Sequence, residues 1–521
     1  MLDAFDSAGA WPLAWLPDAL LAPQGTALLR VASAGYATRA TDDPASTVYE
    51  PRILGDVELS QSAVDLLGLG GRIALTVAEL ALDDADGWAA EMARYGSADG
   101  RGAVLRTVPV LDRHRSDFGT SLAGSGMAFA GVVRSVERTR DMQARVALGD
   151  LADRLSVPLQ PSKYAGSGDL EGGADLAGKP RPVCLGRVYN VPPVFLGNVD
   201  LGSGTLPTYQ THSRQVAGTD AVRIRGVAQS ASAGTPIVGQ YRDWPALGCF
   251  QLGAAPDGEV RADLRGDAVG GYVNSIATVL VRLLQAFGPN IADAELDTGA
   301  FALADFDLAG EIGFYQAADT TAAGAAETIL AGCGAVLAGG RSGRLRLFDP
   351  LASDAPQFTL LLPWIISAEP IAMPASLRPA PREVQVEWGR NWAPLTGGVA
   401  GSVAAADRQR LEAQEQPFAA SSSQAITSRV QQQRSLRVPG LYWDSAAAAA
   451  RAAKLLAFLE RGPRLVRIVT DRFLGQLELG HIGRLEAYPA FGLEAGLTGT
   501  VMAWREQLGG RRLEITLLET G

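Results

Sequence analysis

Leu465-Val466-Arg467-Ile468-Val469 is the strand whose surroundings decide how this chain reads. A helix-like stretch, 445–459, leads into it. After it comes a Gly-rich run, Leu477-Glu478-Leu479-Gly480-His481-Ile482-Gly483, and then two strand-like runs split by Gly509-Gly510. In the last run Leu513, Ile515 and Leu517 alternate with Arg512, Glu514 and Thr516, so one face is expected in a core and the other in water.

Working outward, Val384-Gln385-Val386-Glu387-Trp388 also alternates and predicts a strand. Between them lies the polar stretch 398–436 with Gln431-Gln432-Gln433, read as a long excursion or partly ordered arm of a 351–521 C-terminal β domain. Residues 266–350 form the clear α/β region. Val273, Ile276, Leu280, Leu283, Leu284 and Phe287 fall at helical spacing, and Gly288-Pro289 stops that helix. A second helix is expected over 321–330, then a hairpin of 335–338 and 344–348 around Gly339-Gly340-Arg341-Ser342-Gly343.

Residues 161–265 are dense in proline and glycine, as in Gly178-Lys179-Pro180-Arg181-Pro182. That composition predicts an extended, edge-like, surface-lying junction, with 258–264 as a half-buried strand. Residues 46–160 read as a β domain of short apolar runs separated by Gly- and Asp-rich turns, an antiparallel sheet or barrel. Residues 1–45 hold an arm and a first strand. The cluster Trp11-Pro12-Leu13-Ala14-Trp15-Leu16-Pro17 reads as an arm that packs on another surface, or as a strand-capping loop of its own domain.

At 521 residues the chain is too long for one core and should hold about three or four domains. Apolar residues at 47% and charged residues at 20% make it globular. The 60 glycines and 29 prolines show no period, which excludes collagen and fits many short strands. A net charge of −10 without any dense Lys/Arg run argues against a phosphate-binding surface. The start is acidic and lacks a signal-peptide pattern, and no apolar run reaches about 18 residues. The expectation is a product made and soluble in a cytoplasm, with no membrane segment.

No local signature carries chemistry. Cys184, Cys249 and Cys333 are odd in number, far apart and set among apolar neighbours, and read as buried reduced thiols. His114, His212 and His481 are too scattered for a zinc triad, although folding could still assemble a Cys/His pair. Gly68-Leu69-Gly70-Gly71 and Gly166-Ser167-Gly168 match no phosphate-loop pattern and read as turns. Asp305 and Asp307 read as solvated acids of a turn-like region, and Asp84-Ala85-Asp86-Gly87 lacks the downstream glutamate of a calcium loop. Catalytic residues, metals and cofactors are therefore not expected. Among the nine tryptophans, Trp11, Trp244, Trp364, Trp388 and Trp504 sit among prolines and glycines and read as core, interface anchors or stacking platforms.

Three blocks resemble the hub or tail-tip proteins of tailed bacteriophages, siphophages and prophages among them. The first is Leu176-Ala177-Gly178-Lys179-Pro180-Arg181-Pro182-Val183-Cys184-Leu185-Gly186 with Asn190-Val191-Pro192-Pro193. The second is the helix, helix, hairpin unit over 272–348, and the third is the closing domain, 448–518. Residues 1–45 and 398–436 match nothing in that family.

The resemblance implies an α+β fold, mainly β, of several antiparallel β-barrel- or sandwich-like domains with an inserted small α/β module. It implies a virion structural role at the tail tip: a baseplate hub, as a homo-oligomeric and usually trimeric ring. Such a ring joins the distal tail protein and tail tube to a central fibre or receptor-binding proteins. It acts in host attachment and closes the channel until DNA ejection, with DNA passing through rather than bound specifically. Composition puts the interface at Trp11, Trp15 and Pro17 in the arm and at Pro192 and Pro193 in the junction. Two other readings stay open: a receptor- or carbohydrate-binding tail-tip adaptor, needing exposed coplanar aromatics, and a cell-wall-degrading tail enzyme, needing convergent carboxylates or zinc in a cleft.

Overall fold

The closing strand, Arg512–Glu519, buries Leu513, Ile515 and Leu517 completely, as its alternation requires. Its second face is covered as well from Thr516 onward, because Leu518 joins the same core cluster. The computed structural model describes the chain apart from residues 1–13, 20–28, 34–35, 43–44, 65–72, 90–98, 109–125, 140–141, 375–376, 378–379, 432–433, 473, 508–511 and 521.

The strand belongs to a 13-stranded sheet that draws on both ends of the chain. One half runs Leu29–Arg30, Ala14–Ala19, Gly102–Val108, Gly126–Arg138, Gln143–Gly149, Thr76–Asp83 and Ile53–Ser62. The other half continues with Leu497–Gln507, Arg512–Glu519, Leu465–Thr470 and Ile365–Ile371. The two halves meet where Leu497–Gln507 pairs antiparallel with Ile53–Ser62, from Ala503 opposite Ser62 to Gln507 opposite Glu58. Among the described residues the ladder is open at both ends, so of the antiparallel sheet or barrel expected for 46–160 it is the open sheet. The Gly-rich run supplies Ile482–Leu485, which hangs on Leu497–Gln507 and takes Phe358–Leu360 in parallel on its far side.

Residues 183–267 build a sandwich of two sheets. Val227–Ala228, Val216–Ile224, Val260–Asp267, Val183–Val191 and Gly313–Gln316 form one. Val194–Asp200, Thr205–Gln210, Cys249–Leu252, Gln240–Trp244 and Ser230–Ala231 form the other. Val188, Val222 and Leu264 of the first meet Tyr209, Phe250 and Leu252 of the second in one core. The surface-lying junction expected here is corrected by Val183–Val191, which lies inside its sheet and is buried nearly throughout. The prolines flank that strand at Pro182 and Pro192 without entering it, so its N–H groups stay free for the ladder. Gly186 faces Gly313 across this ladder, and a Cβ on Gly186, at φ +67°, would lie 1.9 Å from the Ile312 carbonyl oxygen.

The α/β region holds the helices Ile276–Ala286 and Ala322–Cys333 and the hairpin Val336–Gly339 with Leu345–Phe348, and Ile73–Ala74 joins the hairpin in parallel. Ser275 and Thr278 cap the first helix reciprocally. A further helix, Thr298–Asp307, replaces the turn-like region expected around Asp305 and Asp307. Its pattern is weak because Leu303 and Phe306 point outward, and Phe306 is 83% exposed.

The polar stretch 398–436, expected as a long excursion or partly ordered arm, carries secondary structure over much of its length. It forms the helices Ala405–Glu412 and Gln424–Arg429 and the strand Phe418–Ser422. That strand pairs with Glu383–Trp388, which pairs in parallel with Ser435–Tyr442. The signal was missing because each helix buries a single residue, Leu411 or Ile426. The long helix Ser445–Glu460 packs against this sheet through Ala448, Ala452, Leu455, Leu456 and Leu459. No helix of the described residues is long and apolar enough to cross a membrane.

Gly186→Ala should destabilise the protein by at least about 2 kcal/mol, because the backbone is both left-handed and touching. Gly234→Ala, with open space around it, should change stability by less than about 0.5 kcal/mol. Denaturant unfolding of the two variants checks the pair, and equal stabilities would contradict the placement of this ladder.

Candidate functional site

Folding does bring a cysteine and a histidine together. His212 follows the strand Thr205–Gln210, and Cys184 lies in the adjoining sandwich strand. The contact is through backbone: the Cys184 N–H donates to His212 Nδ1 at 3.0 Å. That fixes the proton on Nε2, which donates to Asp267 Oδ2 at 3.1 Å. Both ring nitrogens are thus engaged, and neither can serve the Cys184 thiol as a base.

Asp267 is also paired with Arg282 and, at 3.6 Å, with Arg214. Burial pushes the His212 imidazole down to about 3, and the two guanidiniums beside it add to the effect. Asp267 is already neutralised by those arginines, so its carboxylate does not hold the imidazole protonated. Burial likewise raises the Cys184 thiol and pushes the Cys249 and Cys333 thiols up to about 12, which makes all three inert near neutral pH.

The remaining candidates are structural. Asp84 accepts the Ala89 N–H at 2.8 Å and pairs with Arg138 at 3.0 Å, while Asp86 pairs with Arg52 at 2.7 Å. Asp305 accepts the Ala277 N–H at 3.1 Å, and Asp307 faces Lys454 at 3.6 Å. Gly166 and Gly168 take positive φ in a turn. Gly68 to Gly71 and His114 lie outside the described residues. Trp504 is buried and Trp388 packs on the same core, whereas Trp244 and Trp364 each carry an arginine over the ring, Arg242 and Arg472.

Two charge clusters were not foreseen. Arg341, at the tip of the hairpin, is almost fully buried. It pairs with Glu506 at 2.5 Å and lies 3.8 Å over the Trp504 ring. Its backbone N–H donates to Glu478 at 2.7 Å and its carbonyl accepts from Ala130 at 2.8 Å. Asp349, beyond the same hairpin, accepts from Arg451 and Lys454, each at 2.9 Å. Burial works to raise the Asp349 carboxyl, but the two cations prevail and hold it below its ordinary range. Both clusters join segments more than 100 residues apart, so no local spacing announces them.

Of the expected interface residues, Trp11 lies outside the described residues. Trp15 and Pro17 sit on Ala14–Ala19, opposite Thr107 and Leu105. On the far side Asp18 and Ala19 pair with Arg30 and Leu29. Pro192 and Pro193 are half-buried, and the Pro192 carbonyl accepts the Tyr315 hydroxyl at 2.7 Å. Among the described residues Ile365–Ile371 forms the opposite edge of the sheet, with Ile366 53% exposed.

No family model matches the chain, and no curated protein does. Solved structures similar to it include tail and virion proteins. The 43 kDa tail protein of prophage MuSo2 from Shewanella oneidensis is 9% identical with a TM-score of 0.35, over 91% of this chain and 94% of that one. A tail protein from Neisseria meningitidis MC58 is 9% identical with a TM-score of 0.38, over 89% and 92%. A chain of the virion of a native gene transfer agent particle is 10% identical with a TM-score of 0.42, over 66% and 85%.

The His212 environment sets a pH dependence. Its folded value is depressed from 6.5 to about 3, so its contribution is full above 6.5 and is lost as pH falls toward 3. The loss should reach at most about 5 kcal/mol. His212→Gln keeps an acceptor and a donor without titrating, and unfolding measured across this range should be flatter for the variant than for the parent. Parallel profiles would contradict the assignment.

Proposed function

We propose that this chain is a structural protein of a phage tail that forms the hub ring at the distal end of the tail tube. The carrying observation is the single open sheet through the molecule, with Ala14–Ala19 near one end and Ile365–Ile371 at the other. Ladder groups left unpaired among the described residues at two different edges are what a head-to-tail contact between copies needs, and such contacts close into a ring when the rotation permits.

The reading also rests on the sequence blocks that resemble tail hubs. Their elements are present in order: the helices Ile276–Ala286 and Ala322–Cys333, the hairpin after them, and the closing helix Ser445–Glu460 with its strands. In this reading a trimeric ring joins the tail tube to tip or fibre proteins, and the arm at Trp11, Trp15 and Pro17 packs on a neighbour. The junction at Pro192 and Pro193 contributes a second contact. The chain is carried at the tail tip of the virion, and it does no chemistry there.

Electron cryomicroscopy of the purified particle tests this. The expected density is a symmetric ring of this chain at the distal end of the tube. Removal of residues 1–20 should block incorporation of the chain into particles. A particle without the chain, or wild-type assembly after the deletion, would contradict the hub and the arm respectively.

A further inference from the structure

The two glycines at the tip of the hairpin, Gly339 and Gly340, each lie against a carboxyl group. A Cβ on Gly339 would fall 2.2 Å from Asp150 Cγ. One on Gly340 would fall 3.1 Å from Glu478 Oε1, with the Arg344 carbonyl oxygen at 2.9 Å. Neither glycine takes a positive φ, so close approach rather than the turn calls for glycine here. Asp150 is fully buried and accepts the Thr76 and Ala152 N–H groups. Glu478 is half-buried as a residue, but its carboxyl is turned onto the tip and accepts the Arg341 N–H at 2.7 Å. The tip is thus wedged between two carboxyls from distant stretches of the chain.

Among the described residues neither carboxyl has a counter-ion of its own. Arg134, near Asp150, is taken by Asp153 through two bonds of 2.6 and 2.9 Å. Near Glu478, Arg341 is bonded to Glu506 at 2.5 Å and Arg346 to Asp297 at 2.9 Å. His481 adds no positive charge, because burial drives its imidazole down to about 3 and the same two arginines add to the effect. A buried carboxylate without a matched cation costs more than a neutral acid, so both groups favour the protonated form. Burial accordingly pushes Asp150 up to about 6, with Asp153 adding to it and the Thr76 and Ala152 amides opposing. It pushes Glu478 up to about 7, against Arg341, Arg346 and the amides of Arg341 and Ser342.

The same tip closes the seam of the large sheet. Gln61 donates to the Gly339 carbonyl at 2.9 Å, and the Arg341 carbonyl accepts the Ala130 N–H at 2.8 Å. Ile53–Ser62 and Gly126–Arg138 of one half and Leu497–Gln507 of the other thus share the seated tip. We propose that the hairpin tip is a proton-operated latch, which seats firmly when Asp150 and Glu478 carry protons and loosens when both ionise. Each ionised carboxylate calls for water, and water reaches it when the tip lifts. The contribution of the seat is full below the ordinary carboxylate values, 3.8 and 4.5, and is lost as pH rises through about 6 and then about 7. His212 acts in the opposite direction, losing its contribution as pH falls below 6.5. The latch does not depend on the chain being a tail hub.

Hydrogen exchange of the full chain tests the latch, read by mass spectrometry on peptides covering 336–348 and corrected for the intrinsic pH dependence of exchange. Protection of the tip should be at least about tenfold greater at about pH 5.5 than at about pH 8. Glu478→Gln keeps an acceptor for the Arg341 N–H without titrating. In that variant the difference should shrink to about fourfold or less, the part left to Asp150. Peptides of the sandwich strand Val216–Ile224 should show no such gain, which separates a local latch from a change in global stability. Should the variant fail to fold, the parent profile alone decides. Tip protection that is flat or rises with pH, a parent-like profile in Glu478→Gln, or an equal gain in the sandwich would overturn the proposal.

Discussion

The pairing of Leu497–Gln507 with Ile53–Ser62 is the constraint on which the architecture rests. Either half of the 13-stranded sheet would otherwise end on a bare row of backbone donors and acceptors at this line. Joined, the two halves place the Gly-rich run, the hairpin tip and the start of the strand Thr76–Asp83 around one spot. Gln61 makes the junction explicit, because its amide donates to the Gly339 carbonyl at 2.9 Å and to the Ala74 carbonyl at 3.0 Å. A slip of one residue in either strand would turn its own member of the facing pair, Gln61 or Trp504, out of the core.

The charge clusters act at the same level. Pairs such as Arg341 with Glu506 gain little net stability, since desolvation offsets much of the attraction. What they add is position. An apolar hairpin tip could settle at several depths against the sheet, whereas Arg341 has its partners at only one. Asp349 with Arg451 and Lys454 does the same between the hairpin and the long helix, and Asp267 ties the sandwich to the helix Ile276–Ala286 through Arg282. The inserted α/β region is thereby pinned to the sheet and to the long helix by residues more than 100 positions away, and to the sandwich through the strand that leads into it.

What could be read from the sequence was what repeats locally. The helix Ile276–Ala286 shows its period in Ile276, Leu280, Leu283 and Leu284. The strand Glu383–Trp388 shows its own in Val384 and Val386, both buried. The mainly β character and the hairpin follow from the same kind of signal. Phe418–Ser422 failed because it is short, its one large side chain, Phe418, is exposed, and none of its residues is fully buried, so its pairing is the work of neighbours. Val183–Val191 was misjudged because proline density was averaged over a segment when only the strand itself mattered. His212 was illegible too, since its partners Asp267 and Arg282 follow on later elements.

The seam between the two halves also orders events in time. A ribosome finishes Ile53–Ser62 long before it reaches Leu497–Gln507. At about 5–20 residues per second, the wait from residue 62 to residue 497 is roughly 20 to 90 seconds. Through that interval the N-terminal half carries a ten-residue strand with one side unclaimed. The nascent chain is therefore most exposed to pairing with a sister chain just before its own end emerges. Synthesis rate and chaperone cover over the last third of translation, more than the stability of the finished fold, should govern how much of it is recovered intact.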